Sequence, residues 1–359
     1  MVINTQLRSA RESLRLNTDE VAAALNLSED QIKEWENGQA IPTIEQLWRL
    51  ADFYSRDVDY FLTDALPIPV ELNFRFTEPQ HLERLSIEIR RLITRFDELC
   101  RAQMELEETL NKPRKIEIIK ATDNITPEEV ARRERVRIGQ YEKPIKDVRS
   151  ILEKQGIRVF ELDIPDNIFS GLSWWHQNYG PCVLVNYSDV KGRKNFTLSH
   201  EYCHLLLDHG PLLCEIEFDY GKSKDEERIA DRFAATFLMP SDDLVREFRS
   251  RQLDYALTDK QLGNLASRYG TSLEAMGRRL EEMSLVNRGF VDERLETWKN
   301  RRKYWGHTGK RRPKWQNQLG ITFVNDALRA HSSGQISLAT LSHYFGIDMR
   351  EAYKMIHEK

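Results

Sequence analysis

The chain has 359 residues and a formal net charge of −4, a length that allows two or three domains. Its 40% hydrophobic and 31% charged residues describe a globular protein with a strongly charged surface. There is no apolar run of about eighteen residues and no signal-peptide core, so neither a membrane span nor export is expected. Cys100, Cys182, Cys203 and Cys214 form no CxxC pair and no disulfide scaffold, and the expected compartment is a reducing cytoplasm.

Residues 1–66 read as a separate helical unit. Thr18 to Leu25 forms a short capped helix, Asn26-Leu27 a turn, and Ser28 to Glu36 a second helix closed by Asn37-Gly38. Leu7, Val21, Leu25, Leu27, Ile32, Trp35, Leu47, Leu50, Ala51 and Phe61 have the spacing of a five-helix core. With Trp35-Glu36-Asn37-Gly38 and Ile41-Pro42-Thr43, this pattern resembles the helix-turn-helix of Xre/Cro-type repressors. The resemblance places Asp19, Glu29, Asp30, Gln31, Lys33 and Glu34 on the recognition face. The segment holds six Lys/Arg against twelve Asp/Glu, a net charge of −6. Phosphate contact dominates affinity for DNA, and these acids repel it. Fold and DNA binding therefore separate here, and a protein-docking or dimerising role stands beside operator reading.

Residues 67–115 are a linker carrying a long helix, from about Gln80 to Asn111. Leu85, Ile89, Leu92, Phe96, Leu99, Gln103, Leu106 and Leu110 alternate spacings of four and three, a heptad stripe. Such stripes mostly pack on their own domain, but this one is long enough to pair with a second copy, with Gln103 setting register. Lys112-Pro113 ends the helix.

Residues 116–245 carry the chemistry. A helix near Lys146 to Gln155 leads into strands at Ile157–Leu162 and Cys182–Asn186, a small sheet under the next helix. That helix contains His200-Glu201-Tyr202-Cys203-His204. Positions four apart share one helical face, so His200 and His204 can hold one Zn²⁺ together, with Glu201 beside them as a base. Bound zinc lowers the pKa of a water to about 7, and the carboxylate takes its proton as it attacks a peptide carbonyl. Apolar Phe196, Leu198 and Leu205 to Leu207 argue for a buried helix rather than a chance motif. A third ligand is needed. Ser223 with Glu226 has the capping-box pattern of a helix start, which leaves Glu227 in the first turn beside Ala230, Asp231 and Ala234. Small residues there let this helix approach the other, and Asp231 can accept a hydrogen bond from a zinc-bound histidine. Asp208 and His209 are rival ligands, and a solvated surface acid is the plain alternative for Glu227. The metzincin pattern fails, because Leu207 and Gly210 stand where its Gly and His belong.

Asn195 to His209, followed by Glu227 to Pro240, together with Gly171-Leu172-Ser173 and Val183 to Asn186, resembles the ImmA/IrrE family of zinc metallopeptidases. That family has a zincin-type core, and its members cleave helix-turn-helix repressors to switch on phage, mobile-element or stress-response genes. The resemblance implies His200, His204 and Glu227 as zinc ligands and Glu201 as general base. Cys203 replaces the family's usual Gly and Asp231 its usual Asn. Neither change removes a ligand, but Cys203 either tightens packing or sensitises the site to oxidation.

Residues 246–290 read as a helical pair, with Thr271-Ser272 as a cap. Residues 291–359 hold a basic segment and a C-terminal helical unit. Lys299, Arg301, Arg302, Lys303, Lys310, Arg311, Arg312 and Lys314 interleave with Trp298, Tyr304, Trp305 and Trp315. Cations and stacking rings together suit single-stranded nucleic acid, although a solvated linker reads equally well. Ser337 opens a last helix and Phe345-Gly346-Ile347 a turn.

The fold class is α+β and mainly helical. The leading functional reading is a cytoplasmic zinc endopeptidase that cleaves a repressor-like regulatory protein, with DNA a further partner and no membrane. The alternatives are a DNA-binding transcription regulator or antitoxin whose peptidase fold acts as a sensor, and an interaction scaffold. The intact His-Glu-His-Glu set favours the first.

Overall fold

Five short helices open the chain: α1 (Val2–Ser13), α2 (Thr18–Leu25), α3 (Glu29–Glu36), α4 (Ile44–Tyr54) and α5 (Val58–Leu62). A computed structural model describes residues 2–62, 85–119, 125–141, 143–165, 168–207, 212–213, 224–305 and 315–357, with the backbone alone for 212–213, 224, 299 and 301–305. Asn17 caps α2, Asn26 ends it in the left-handed conformation, and Ser28 caps α3. These local signals fix the turn between the two helices. Leu7, Val21, Ile32, Trp35, Leu50 and Phe61 close a core around them. The sequence reading holds here almost residue by residue, except that Leu27 is only partly buried.

The chain divides into two compact units. One joins residues 1–114 to 315–359, and the other is residues 115–314. This grouping differs from the five segments read along the sequence.

In the first unit the long helix is α6 (Ile87–Thr109), capped by Ser86, and the residues expected to begin it at 80–84 lie outside the described ones. Most of its heptad stripe is buried within the chain. Leu85, Ile89, Phe96, Leu99, Gln103 and Leu106 are buried within the chain, as are Arg90, Thr94 and Asp97 off the stripe. Arg90 donates to the carbonyls of Leu14 and Arg15, and Arg95 to those of His343 and Tyr344, so helices from both ends of the chain wrap α6. Most of the apolar row is thus engaged in packing within the chain, and only Leu92 and Leu110 of the stripe are partly exposed. Glu98 lies at the centre, with Arg56 at 2.9 Å and His343 at 3.1 Å. The same unit contains α15 (Trp315–Leu319), α16 (Ile321–Ser332), α17 (Leu338–Phe345) and α18 (Met349–His357). Ser337 caps α17 and Gly346 ends it in the left-handed conformation.

The second unit is built on a four-stranded sheet of order β1-β3-β2-β4. Its strands are β1 (Arg158–Leu162), β2 (Gly171–His176), β3 (Gly180–Asn186) and the two-residue β4 (Leu212–Leu213). β1 runs parallel to β3 in register Arg158↔Cys182; β2 runs antiparallel to β3, and β4 pairs with β2 at Leu172 and Ser173. One face of the sheet carries α9 (Lys191–Leu207), preceded by α7 (Pro127–Arg137) and α8 (Val148–Lys154), and followed by α10 (Lys224–Leu238) and α11 (Ser241–Ser250). Val159, Val183 and Val185 meet Leu198, Tyr202, Leu205, Phe233 and Phe237 in one core. The helical pair is α12 (Asp259–Tyr269) and α13 (Leu273–Glu282), with Ser272 capping the second, and α14 (Asp292–Trp305) follows. No helix among the described residues is long and apolar enough to cross a membrane.

Candidate metal centre

α9 is held at its start by Asn195, whose side-chain amide donates to the Gly270 carbonyl at 2.7 Å and to the Lys146 carbonyl. Gly192 lets the helix begin against the α12–α13 turn, because a Cβ there would lie 2.4 Å from the Thr271 carbonyl carbon. Farther along, Tyr202 donates to Glu134, which Arg137 also binds, and the Arg137 guanidinium reaches Gln155 at 2.6 Å. Burial, with Glu134 beside it, pushes the Tyr202 hydroxyl well above its ordinary range, so it stays a donor.

α10 is held at its other end. Arg135 donates to the Phe237 carbonyl at 2.5 Å, and Arg279 donates to the Met239 carbonyl at 3.3 Å. Guanidinium groups suit the carbonyl end of a helix, where the dipole is negative. Burial lowers Arg135 to about 10, which leaves it a cation at neutral pH. Ala230 and Ala234 are fully buried, and these small residues let α10 lie close to α9.

Three donors converge between the two helices. His200 Nε2 lies 3.1 Å from His204 Nε2 and 3.1 Å from Glu227 Oε2, while His204 Nε2 is 3.5 Å from Glu227 Oε1. All three groups offer ligand atoms within 4.8 Å of one another. A tetrahedral zinc with bonds near 2.05 Å wants donors about 3.3 Å apart, so the set fits that ion. Asp231 Oδ1 stands 2.9 Å from His200 Nδ1. An Nδ1–H donated to Asp231 leaves Nε2 bare toward the shared point, the tautomer a metal ligand needs. His204 is closed off from solvent, whereas Glu227 is partly open and Asp231 is exposed.

Glu201 is fully buried. It lies against Gly171 at the start of β2, where a Cβ would fall 2.9 Å from Oε1 of Glu201 and 2.5 Å from Thr197 Cγ2. Glycine at 171 thus sets how near the strand comes to this carboxylate. Only a through-space approach reveals that, and the sequence reading gave Gly171 no site role. Cys203 is buried in the core, and burial drives its thiol well above the ordinary 9.0. Its contribution is packing; a protonated, enclosed thiol is a poor target for oxidation.

Other expected site residues fare unevenly. Ser223, Asp208 and His209 lie outside the described residues, as do Lys310, Arg311, Arg312 and Lys314. Arg301, Arg302, Lys303 and Trp305 fall on α14, described by backbone only. Two of the rings read as stacking platforms are engaged in packing: Trp298 is buried in the core, and Trp315 stacks on Phe345 at 4.3 Å. On the helix-turn-helix face, Asp19, Asp30, Lys33 and Glu34 are exposed. Gln31 is not available there, since it forms the capping box with Ser28. Glu29 is taken by Thr18 at 2.6 Å and Lys33 at 2.8 Å.

Residues 152–281 match the family model of the IrrE N-terminal-like domain, peptidase M78, which takes in the helical pair as well as the sheet and both site helices. Residues 7–61 match a helix-turn-helix family model. No curated protein matched the chain.

Proposed function

We propose that this chain, an IrrE-type peptidase domain behind an Xre-type helix-turn-helix domain, is a zinc-dependent endopeptidase that cuts a regulatory protein, a helix-turn-helix repressor. The observation that carries the reading is the convergence of His200, His204 and Glu227 at 3.1 to 3.5 Å, with the buried Glu201 next to the first ligand. A scaffold needs no buried carboxylate at that place.

His200, His204 and Glu227 would hold the ion, and Asp231 would fix the His200 ring. Zinc, when bound there, acidifies a water and polarises the scissile carbonyl. Glu201 accepts the attacking water's proton and returns it to the departing amide nitrogen, which needs a carboxylate that is close and oriented. Gly171 sets how near β2 comes to it. An extended substrate adds to the sheet at the edge formed by β2 and β4, through backbone hydrogen bonds.

The test is metal analysis joined to cleavage of the helix-turn-helix repressor encoded beside the protein's own gene. His204→Ala should lose the metal. Glu201→Gln should keep it and lose about 10²- to 10⁴-fold in cleavage, the usual span for a general base. Cleavage surviving in Glu201→Gln would sink the mechanism. Zinc binding with no cleavage of any neighbouring repressor would favour the regulator whose peptidase fold acts as a sensor.

A further inference from the structure

A helix-turn-helix that reads DNA sets its second helix in the major groove, with cations against the phosphates. Here that helix is α3, and its exposed residues include Asp30, Lys33 and Glu34. The one cation among them is bound to Glu29 at 2.8 Å, on its own helix. The bond to Glu29 raises the Lys33 pKa, and the charges of Asp30 and Asp19 add to it, so these groups lie in one patch. Among the described residues Asp19, Asp30 and Glu34 make no ion pair. A phosphate approaching this face meets uncompensated carboxylates.

Beside the acids lies an apolar stripe. After α3 the chain folds back, with Gln39 and Ala40 donating to the Glu34 carbonyl, which brings Ile41 to the end of that helix. Ile41, Ile44 and Trp48 then follow at spacings of three and four and are 57%, 78% and 40% exposed. Trp48 also borders a groove of about 450 Å³ lined by Ala24, Leu25, Phe53 and Asp52 and by the cations Arg49 and Arg91. Three large apolar side chains in a row at a helix start, with Glu34 at the adjoining helix end, mark an interaction surface rather than scattered exposure.

We propose that the α3–α4 face docks a cationic, apolar protein surface, in particular the DNA-binding face of a basic helix-turn-helix protein. Charge complementarity selects the occupant. A protein that binds DNA must present Lys and Arg, and here they would meet Asp19, Asp30 and Glu34 while its apolar residues cover Ile41, Ile44 and Trp48. The domain thereby offers a repressor a surface of the sign of DNA. Only the identification of that partner with the substrate rests on the peptidase reading.

The experiment measures binding to the full-length Glu201→Gln protein by fluorescence anisotropy. Three probes serve: an amphipathic helical peptide with arginines on one face and leucines on the other, the same peptide with glutamates for arginines, and a random-sequence duplex. The basic peptide should bind, more weakly as salt rises, and the other two should not. The double variants Ile44→Ser with Trp48→Ala, and Asp30→Lys with Glu34→Lys, should each weaken it by more than about tenfold. Unchanged helical circular dichroism would show that the fold is kept. Tighter binding to the duplex than to the basic peptide would overturn the proposal, and so would undiminished peptide binding in both double variants. Because the readout is binding, failure of Glu201 as a base leaves this result untouched.

Discussion

Asp231 shows how a residue outside the candidate ligand set can shape the proposed metal site. It faces His200 Nδ1 at 2.9 Å while its own side chain is 60% exposed. Removing it frees the ring to turn without opening a cavity. Asp231→Ala should weaken zinc binding by about 10- to 100-fold, and Asp231→Asn, which still accepts a hydrogen bond, should recover most of the loss. A chelator competition titration measures both; equal affinity in wild type and Asp231→Ala would show that the ring is held by other means. In the proposed mechanism Gly171 acts on the base instead. A methyl group at 171 meets Thr197 and Glu201 at 2.5 and 2.9 Å, so one of them must move. Gly171→Ala should keep its zinc and lose about 10²-fold in turnover, since displacement of a base by about 1 Å has that effect. The histidines were legible because spacing of four on a helix is itself geometry. Gly171 was not, because its role arises where a strand meets a helix far along the chain.

At the scale of elements, the contrast lies between local and distant signals. α2, α3 and α17 were readable because Asn17, Asn26, Ser28, Ser337 and Gly346 act on their own neighbours. β2 was missed as a strand because its identity depends on β3 beside it. The stripe of α6 was seen, but its partner was not, and Glu98 decides the matter. Burial works against its charge, but Arg56, His343 and Arg95 outweigh burial and hold the carboxyl at about 2 against an ordinary 4.5. A folded value below the unfolded one contributes stability that is full above about pH 4.5 and is lost as the pH falls towards 2. A difference of that size corresponds to about 3 kcal/mol. Glu98→Gln should lower the denaturation midpoint of the first unit at neutral pH and flatten its fall between pH 4.5 and 3. Parallel pH profiles for the two proteins would show that Glu98 is not the responsible group.

At the scale of the whole molecule, both ends of the chain build one unit and the segment 115–314 builds the other. Neither composition nor periodicity could disclose this, since every local signal in 315–357 describes helices and none describes what they pack on. The joining contacts include Arg95 to the carbonyls of His343 and Tyr344, Glu98 to His343, Lys112 to Asp326 at 2.7 Å, Gln335 to the Thr109 carbonyl and Ser337 to Asp59. These pairs are among the most widely separated in sequence. Synthesis proceeds from the N-terminus, so Glu98 and Arg95 emerge from the ribosome long before His343 exists. The 115–314 unit has all its residues while the first still lacks part of its core. Assembly is therefore ordered in time: the helix-turn-helix core of residues 7–61 and then the 115–314 unit can close before the C-terminal helices arrive to complete the packing on α6.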